Sequence, residues 1–196
     1  MRKIRLSLDD LQAAMRSLPN RIRQYDAYTQ LHDVVKDYIN GHALLSELKT
    51  EALKPRHWKT ILQRLGIHIP FTDLSVGILW DHGVVSRKKE IGEVLTVAQG
   101  EMAIDVFLGD VRDRWMKQEL ELILFQNRTR LIKGWDELFA TLDDHIGGLA
   151  LMKSSPYYRA VREFQEEGKL WEDRLTKLRA AFDAWVDVQR RWVYLE

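Results

Sequence analysis

The sequence predicts a mainly α-helical protein: elongated helical bundles carrying one β-hairpin and ending in a long C-terminal helix. Three observations predict it. In the last stretch, KLWEDRLTKLRAAFDAWVDVQRRWVYLE, apolar residues Trp171, Leu175, Leu178, Phe182, Trp185, Val188, Trp192 and Leu195 recur at steps of three and four, which lays one buried stripe along a helix. Similar steps return through most of the remaining chain. Only QELELILFQNRTRLIKGW shortens the period to two. At ~1.5 Å per residue, a helix from about Lys169 to the end is on the order of 40 Å long, too long for a domain of this size to surround on every side. It is expected to act as a spine, with Trp171, Leu175, Leu178, Phe182, Trp185 and Trp192 as structural core.

The other elements follow in order. Ser7, ahead of Leu8, Asp9 and Asp10, has the position of an N-cap with acids in the first turn. Leu8, Leu11, Met15 and Leu18 then form a short stripe that Pro19 and Asn20 end. From Arg21 a second pattern runs through Ile22, Tyr25, Leu31, Val35, Tyr38, His42, Leu45, Leu48 and Ala52. It predicts one long helix passing through Gly41 at a local cost near ~1 kcal/mol, the alternative being a break at Asn40 and Gly41. Pro55 fits the first turn of the next helix, Trp58, Ile61, Leu62 and Leu65 form its apolar face, and Gly66 is its C-terminal cap. Thr72 or Asp73 is expected to cap a short helix with Leu74, Ile78 and Leu79 inward, closed by Asp81, His82 and Gly83.

Ser86 is read as the cap of a helix with Ile91, Val94, Leu95, Ala98, Met102, Phe107, Val111 and Trp115 on one side. Gly92, Gly100 and Gly109 lower helix propensity there and are expected to mark close packing. Leu120, Leu122 and Leu124 alternate with Glu119, Glu121 and Ile123. A polar turn at Gln126, Asn127 and Arg128 separates them from Arg130, Leu131, Ile132 and Lys133, so a hairpin is expected near 119–133. Those three turn residues are candidate docking positions. A helix from about Trp135 to Met152 should bury Leu138, Phe139, Leu142, Leu149 and Met152. Ser155 and Pro156 form an N-cap and first-turn proline pair, and Glu166, Glu167 and Gly168 lead into the final helix. The expected division is residues 1–66, the N-terminal helices, and 67–196, a helical bundle with the hairpin.

Composition removes several function classes. The 196 residues are 45% apolar, enough for a real core. Thirty basic residues against 29 acidic ones leave a net charge of +1, without the basic field of a nucleic-acid binder. There is no cysteine, hence no disulfide framework or thiolate site. No apolar run approaches the ~20 residues of a membrane span, so a soluble, intracellular protein is expected. The phosphate loop G-x-x-x-x-G-K-(S/T) is absent, and Gly147-Gly148 is followed by Leu-Ala-Leu. Asp143-Asp144 and Glu166-Glu167 are adjacent, so their members diverge on a helix, as solvated carboxylates do. The six histidines are dispersed, none in the i, i+4 pair of a helical zinc site, and His57 beside Trp58 has no carboxylate or nucleophile at catalytic spacing. No catalytic, cofactor-binding or metal residue is assigned.

WEDRLTKLRAAFDAWVDVQRRWVYLE resembles the dynein heavy chain in its linker, the mechanical arm lying across the ring of the motor. SELKTEALKPRHW, LTVAQGEMAIDVFL, the Ile132–Phe139 stretch IKGWDELF and MKSSPYY are similar to further stretches of that region, so the resemblance runs from about Ser46 to the end. VAQGEMA and RRWVYLE resemble the cytoplasmic branch more than the axonemal one. The family's sequence runs on past WVYLE, so the chain is read as a piece of a very large protein. The resemblance implies a strand pair before the GWDELF stretch. It implies a non-enzymatic segment without cofactor, ATP being bound elsewhere in the parent, that transmits conformational change of the AAA+ ring to the tail during minus-end-directed motility. It further implies as partners the ring of the same chain, the tail and its associated subunits, and the microtubule only through the parent, with no nucleic acid or membrane, in cytoplasm and cytoskeleton. The alternative is a free-standing helical adaptor that docks a partner helix.

Overall fold

A computed structural model describes residues 2–195. It contains, among those residues, nine α-helices and one two-stranded antiparallel hairpin: α1 (Arg2–Ser17), α2 (Asn20–Arg23), α3 (Asp26–Glu47), α4 (Pro55–Leu65), α5 (Val76–Asp81), α6 (Lys88–Met116), β1 (Leu122–Phe125), β2 (Thr129–Ile132), α7 (Trp135–Ser154), α8 (Pro156–Ala160) and α9 (Arg162–Leu195). The chain divides into two compact units, one up to Gln99 and one from Gly100 onward. No helix among the described residues is long and apolar enough to cross a membrane.

In the first unit, α1 packs along α3, and Met15 and Val35 are buried. Ser7 sits inside α1 and donates to the Lys3 carbonyl, so it is not a cap. The chain end of α1 is held from beyond it: Arg23 donates from Nε to the Leu18 carbonyl at 2.9 Å and from Nη2 to the Arg16 carbonyl. A guanidinium at a helix C-terminus satisfies carbonyls that have no partner in the helix and opposes the negative end of the dipole. The long pattern from Arg21 splits at Gln24 and Tyr25, and α3 then passes unbroken through Gly41 to Glu47.

Gly41 earns its place by contact. A Cβ there would stand 2.2 Å from Cζ3 of Trp80, whose indole also stacks on Tyr38 at 4.7 Å and 12°. Helix α4 opens on Pro55 and ends on Gly66 at φ 71°, with Ile67 donating to the Leu62 carbonyl at 2.9 Å, the Schellman closure. His57 is buried in its first turn, where Nδ1 accepts the Lys54 N–H at 3.1 Å. The short helix α5 starts later than its sequence indicates. Phe71–Asp73 forms a 3-10 turn, Leu74 is extended, and the cap is Ser75, whose Oγ accepts the Ile78 N–H at 3.3 Å. Leu44, Leu48, Ile61, Leu65, Leu79 and Ile91 are among the residues that close this core.

On α6 the buried positions are Ile91, Val94, Leu95, Ala98, Glu101, Ile104, Leu108 and Val111. Met102, expected inward, is exposed, and Phe107 and Trp115 are half-buried against the core. Of the three glycines, Gly100 marks close packing, a Cβ there falling 2.3 Å from the Tyr157 ring. Gly92 meets nothing within 4 Å, and Gly109 meets only the tip of Arg112.

The second unit is organised on α9. Its core joins Ile104, Leu108 and Val111 of α6 to Leu138, Leu142, Leu149 and Met152 of α7, Tyr158 of α8, and Phe164, Trp171, Leu175 and Phe182 of α9. Helix α9 begins at Arg162 rather than near Lys169. Gly168 lies within it because the Tyr158 ring stands 2.9 Å from where a Cβ would be. Ser155 Oγ accepts the Tyr157 N–H at 3.3 Å and Pro156 opens α8. Between α6 and α7, Trp115 donates from Nε1 to Nδ1 of His145 at 2.8 Å, with the Phe107 ring edge-on to the imidazole. Burial, then the Arg114 charge, lower the His145 pKa from its ordinary 6.5, against the opposing pull of Asp144 and Asp110.

The stripe of α9 departs from its expected course beyond Phe182. Trp171, Leu175, Phe182 and Val186 are buried and Leu178 is half-buried against the core, whereas Trp185 is 50% exposed, Val188 64% and Leu195 82%. Trp171, Leu178, Trp185 and Trp192 are spaced at seven residues. On a straight α-helix such a series rotates by about 20° per heptad, so each tryptophan lies further from the buried line. Val186, one position on, falls back on it.

Gly41→Ala should cost about 1 to 3 kcal/mol, because the wedged indole must move. Gly92→Ala should stabilise by roughly 0.5 to 1 kcal/mol, since open space surrounds it. Urea denaturation of the two variants should therefore give opposite signs. Trp171→Ala should cost about 3 to 5 kcal/mol, and Trp185→Ala clearly less, both readable in the same assay. Because His145 is held neutral in the fold, its contribution to stability is complete above the unfolded pKa of about 6.5 and is lost as pH falls through the lower folded value. Denaturation midpoints across that window should fall with pH, and His145→Gln should flatten the decline.

Candidate functional site

The glycine pair and most of the adjacent carboxylates noted in the sequence have structural contacts. Gly147 and Gly148 are inside α7, and Gly148 gives room to Phe107, 2.6 Å from where its Cβ would be, so the pair forms no phosphate loop. Three of the four adjacent carboxylates take separate cations: Asp143 accepts from Arg179 at 3.0 Å, Glu166 from Arg162 at 2.7 Å and Glu167 from Arg112 at 3.1 Å. Among the described residues no three His, Asp or Glu side chains stand where they could share a metal ion. The first unit holds an open groove of about 660 Å³ beside Leu53, Trp58, Leu62, Ile67, Ile69 and Phe71, apolar apart from Lys59, Gln63 and His68 on its wall.

The hairpin and the C-terminal half of α9 both expose apolar side chains, among them Leu122, Ile123 and Leu124 on β1 and Trp185 and Val188 on α9. The strands pair Leu122 with Ile132, Ile123 with Leu131, Leu124 with Arg130 and Phe125 with Thr129. Gln126 and Asn127 turn the chain at φ 48° and 54°, and Arg128 donates its N–H to the Phe125 carbonyl at 3.0 Å. Two central residues with positive φ match the right-handed twist of flanking strands, and asparagine tolerates that region better than most residues. The candidate docking residues Gln126, Asn127 and Arg128 thus form an exposed tip.

One side chain anchors the hairpin to α9. The Gln189 amide donates from Nε2 to the Ile132 carbonyl at 3.0 Å and accepts the Ile132 N–H on Oε1 at 2.8 Å. It pairs with β2 as a neighbouring strand would. Trp192 is half-buried, its indole meeting Phe125 edge-on at 5.9 Å, so this tryptophan supports the hairpin from beside the stripe. Arg190 lies over the Trp135 ring and Arg179 over Phe139, each 4.2 Å from the centroid, tying α9 to α7. Of the predicted core residues, Trp171, Leu175 and Phe182 line the buried stripe, Leu178 packs at its margin, and Trp185 lies outside it. Sequence reasoning missed Gln189. A lone glutamine among aromatics in an otherwise charged stretch was its only trace.

Comparison with known proteins gives these elements a family. The family model described as "Dynein heavy chain, N-terminal region 2" matches residues 1–196. The chain is 44% identical over 195 residues to the cytoplasmic dynein heavy chain of Dictyostelium discoideum, and equally so to that of Drosophila melanogaster. A dynein heavy chain-like protein of Plasmodium falciparum is 41% identical over 189 residues. In each case the match covers 96 to 100% of this chain and 4% of the relative, so the chain spans a small part of the length of the proteins it resembles. A family match along its whole length, with relatives of this identity, means that the chain belongs to the dynein heavy chain family.

Proposed function

We propose that this chain is a segment of the linker of a cytoplasmic dynein heavy chain and that it transmits force without catalysing a reaction. On this reading ATP is hydrolysed in the ring of the parent protein, and the segment carries the ring's conformational change to the tail, which moves relative to the microtubule. The observation that carries the proposal is α9, 34 residues of unbroken helix bound to α7 and α8 by a buried stripe and to the hairpin by the Gln189 amide. A continuous helix resists bending because every turn is closed by its own hydrogen bonds, and lateral packing adds to that resistance. Membership of the dynein heavy chain family supplies the mechanical context. The ring, the tail with its subunits, and the microtubule through the parent are the partners this reading implies, with cytoplasm and cytoskeleton as the place of action.

The test separates leverage from chemistry. Ala184 is exposed in the interior of α9. Ala184→Pro in the full-length motor removes one backbone hydrogen bond and forces a kink, costing ~3 kcal/mol or more locally without truncating any buried side chain. ATP turnover should persist in substantial part while microtubule gliding slows or stops. Wild-type gliding by a folded variant would show that the helix carries no force, and joint loss of both activities would assign it to activation of the ring.

A further inference from the structure

The two edges of the hairpin are treated differently. On the β2 edge, Ile132 spends both backbone groups on Gln189. Lys133 donates to the Glu121 carbonyl at 2.8 Å, which marks 133 and 121 as a hydrogen-bonded pair. In an antiparallel ladder such pairs alternate, so 131 and 123 and then 129 and 125 are also bonded pairs, and Leu122 and Leu124 turn their N–H and C=O groups away from β2. The side chains along that edge are apolar and open, Leu122 at 45% exposure and Leu124 at 59%. An edge with free backbone groups and aliphatic side chains is a template for another strand.

Charge selects the strand. Lys133 is matched by Glu121 within the hairpin at 3.3 Å, whereas Arg128 and Arg130 enter no ion pair among the described residues. Arg130 faces Leu124 across the ladder and therefore shares its face of the sheet. A residue opposite Leu124 on an added strand would lie two strand spacings from Arg130, about 10 Å, which a glutamate and an extended arginine together span. A second copy of this chain does not fit. The free groups belong to even-numbered residues, so self-pairing sets even against even and leaves Glu119 and Glu121 on the face opposite to Arg130.

We propose that the outer edge of β1 docks an extended segment of another polypeptide as a third strand, one that presents carboxylates on the face shared by Leu122, Leu124 and Arg130. The site is independent of the reading of the chain as a linker. Its probe is a short fluorescein-labelled peptide alternating valine with glutamate, set against the same peptide with lysine for glutamate. The glutamate peptide should bind, and amide exchange should slow at Leu122 and Leu124 but not at Ile123. Leu124→Pro removes an outward N–H and leaves the β2 ladder in place, so affinity should fall about tenfold, the weight of roughly one hydrogen bond, with the Ile132 amide still protected. Arg130→Glu should invert the preference between the two peptides. Equal binding of both peptides, binding of neither, or undiminished binding by folded Leu124→Pro would overturn the proposal. So would concentration-dependent dimerisation that slows exchange at Leu122 and Leu124 without any peptide.

Discussion

The second unit depends on one constraint, the buried line along α9. Trp171, Leu175, Phe182 and Val186 sit on it, and α6, α7 and α8 all contribute side chains to the core it faces. Burying a side chain of this size is worth roughly 1.5 to 3 kcal/mol, so the line outweighs every polar contact described around it. The polar contacts decide direction instead. Arg179 and Arg190 over their aromatic rings and the Gln189 amide on Ile132 fix which way α7 and the hairpin face along the helix.

Close packing is achieved by one device used four times. Rings of Trp80, Tyr157, Phe107 and Tyr158 approach Gly41, Gly100, Gly148 and Gly168 to distances that no Cβ would allow. Each glycine sits within a helix and costs about 0.5 to 1 kcal/mol of helix stability relative to alanine. The aromatic seated against it recovers more than that through buried area and dispersion, and it becomes sensitive to displacement. Helices joined this way are held against sliding.

The ionisable side chains fall into the same order. Helix-to-helix pairs such as Arg112 with Glu167, Arg179 with Asp143 and Lys153 with Glu172 tie α6 and α7 to α9. Their exposure keeps each of them modest in energy. His145, the histidine whose proton affinity burial shifts, accepts from Trp115 and is committed to the α6–α7 contact.

The sequence by itself determined the helical class, the hairpin and its turn, the cap at Ser155 with Pro156, and the stop at Gly66, because each is local chemistry within a few residues. Fixed φ at proline, positive φ at glycine or asparagine and a period of two or near 3.6 need no tertiary partner. The family was legible too, in stretches such as IKGWDELF and RRWVYLE. Tertiary structure alone decided which side of α9 is buried past Phe182. A step of three and a step of four look equivalent in sequence, and their accumulated rotation carries Trp185 out of the core that Val186 enters. It also decided which glycines are packing sites: Gly92 and Gly100 are alike in the chain, and only the second has an aromatic ring against it. Gln189 belongs to the same class, since a polar side chain acquires its role from a backbone edge 57 residues away, which no local pattern encodes.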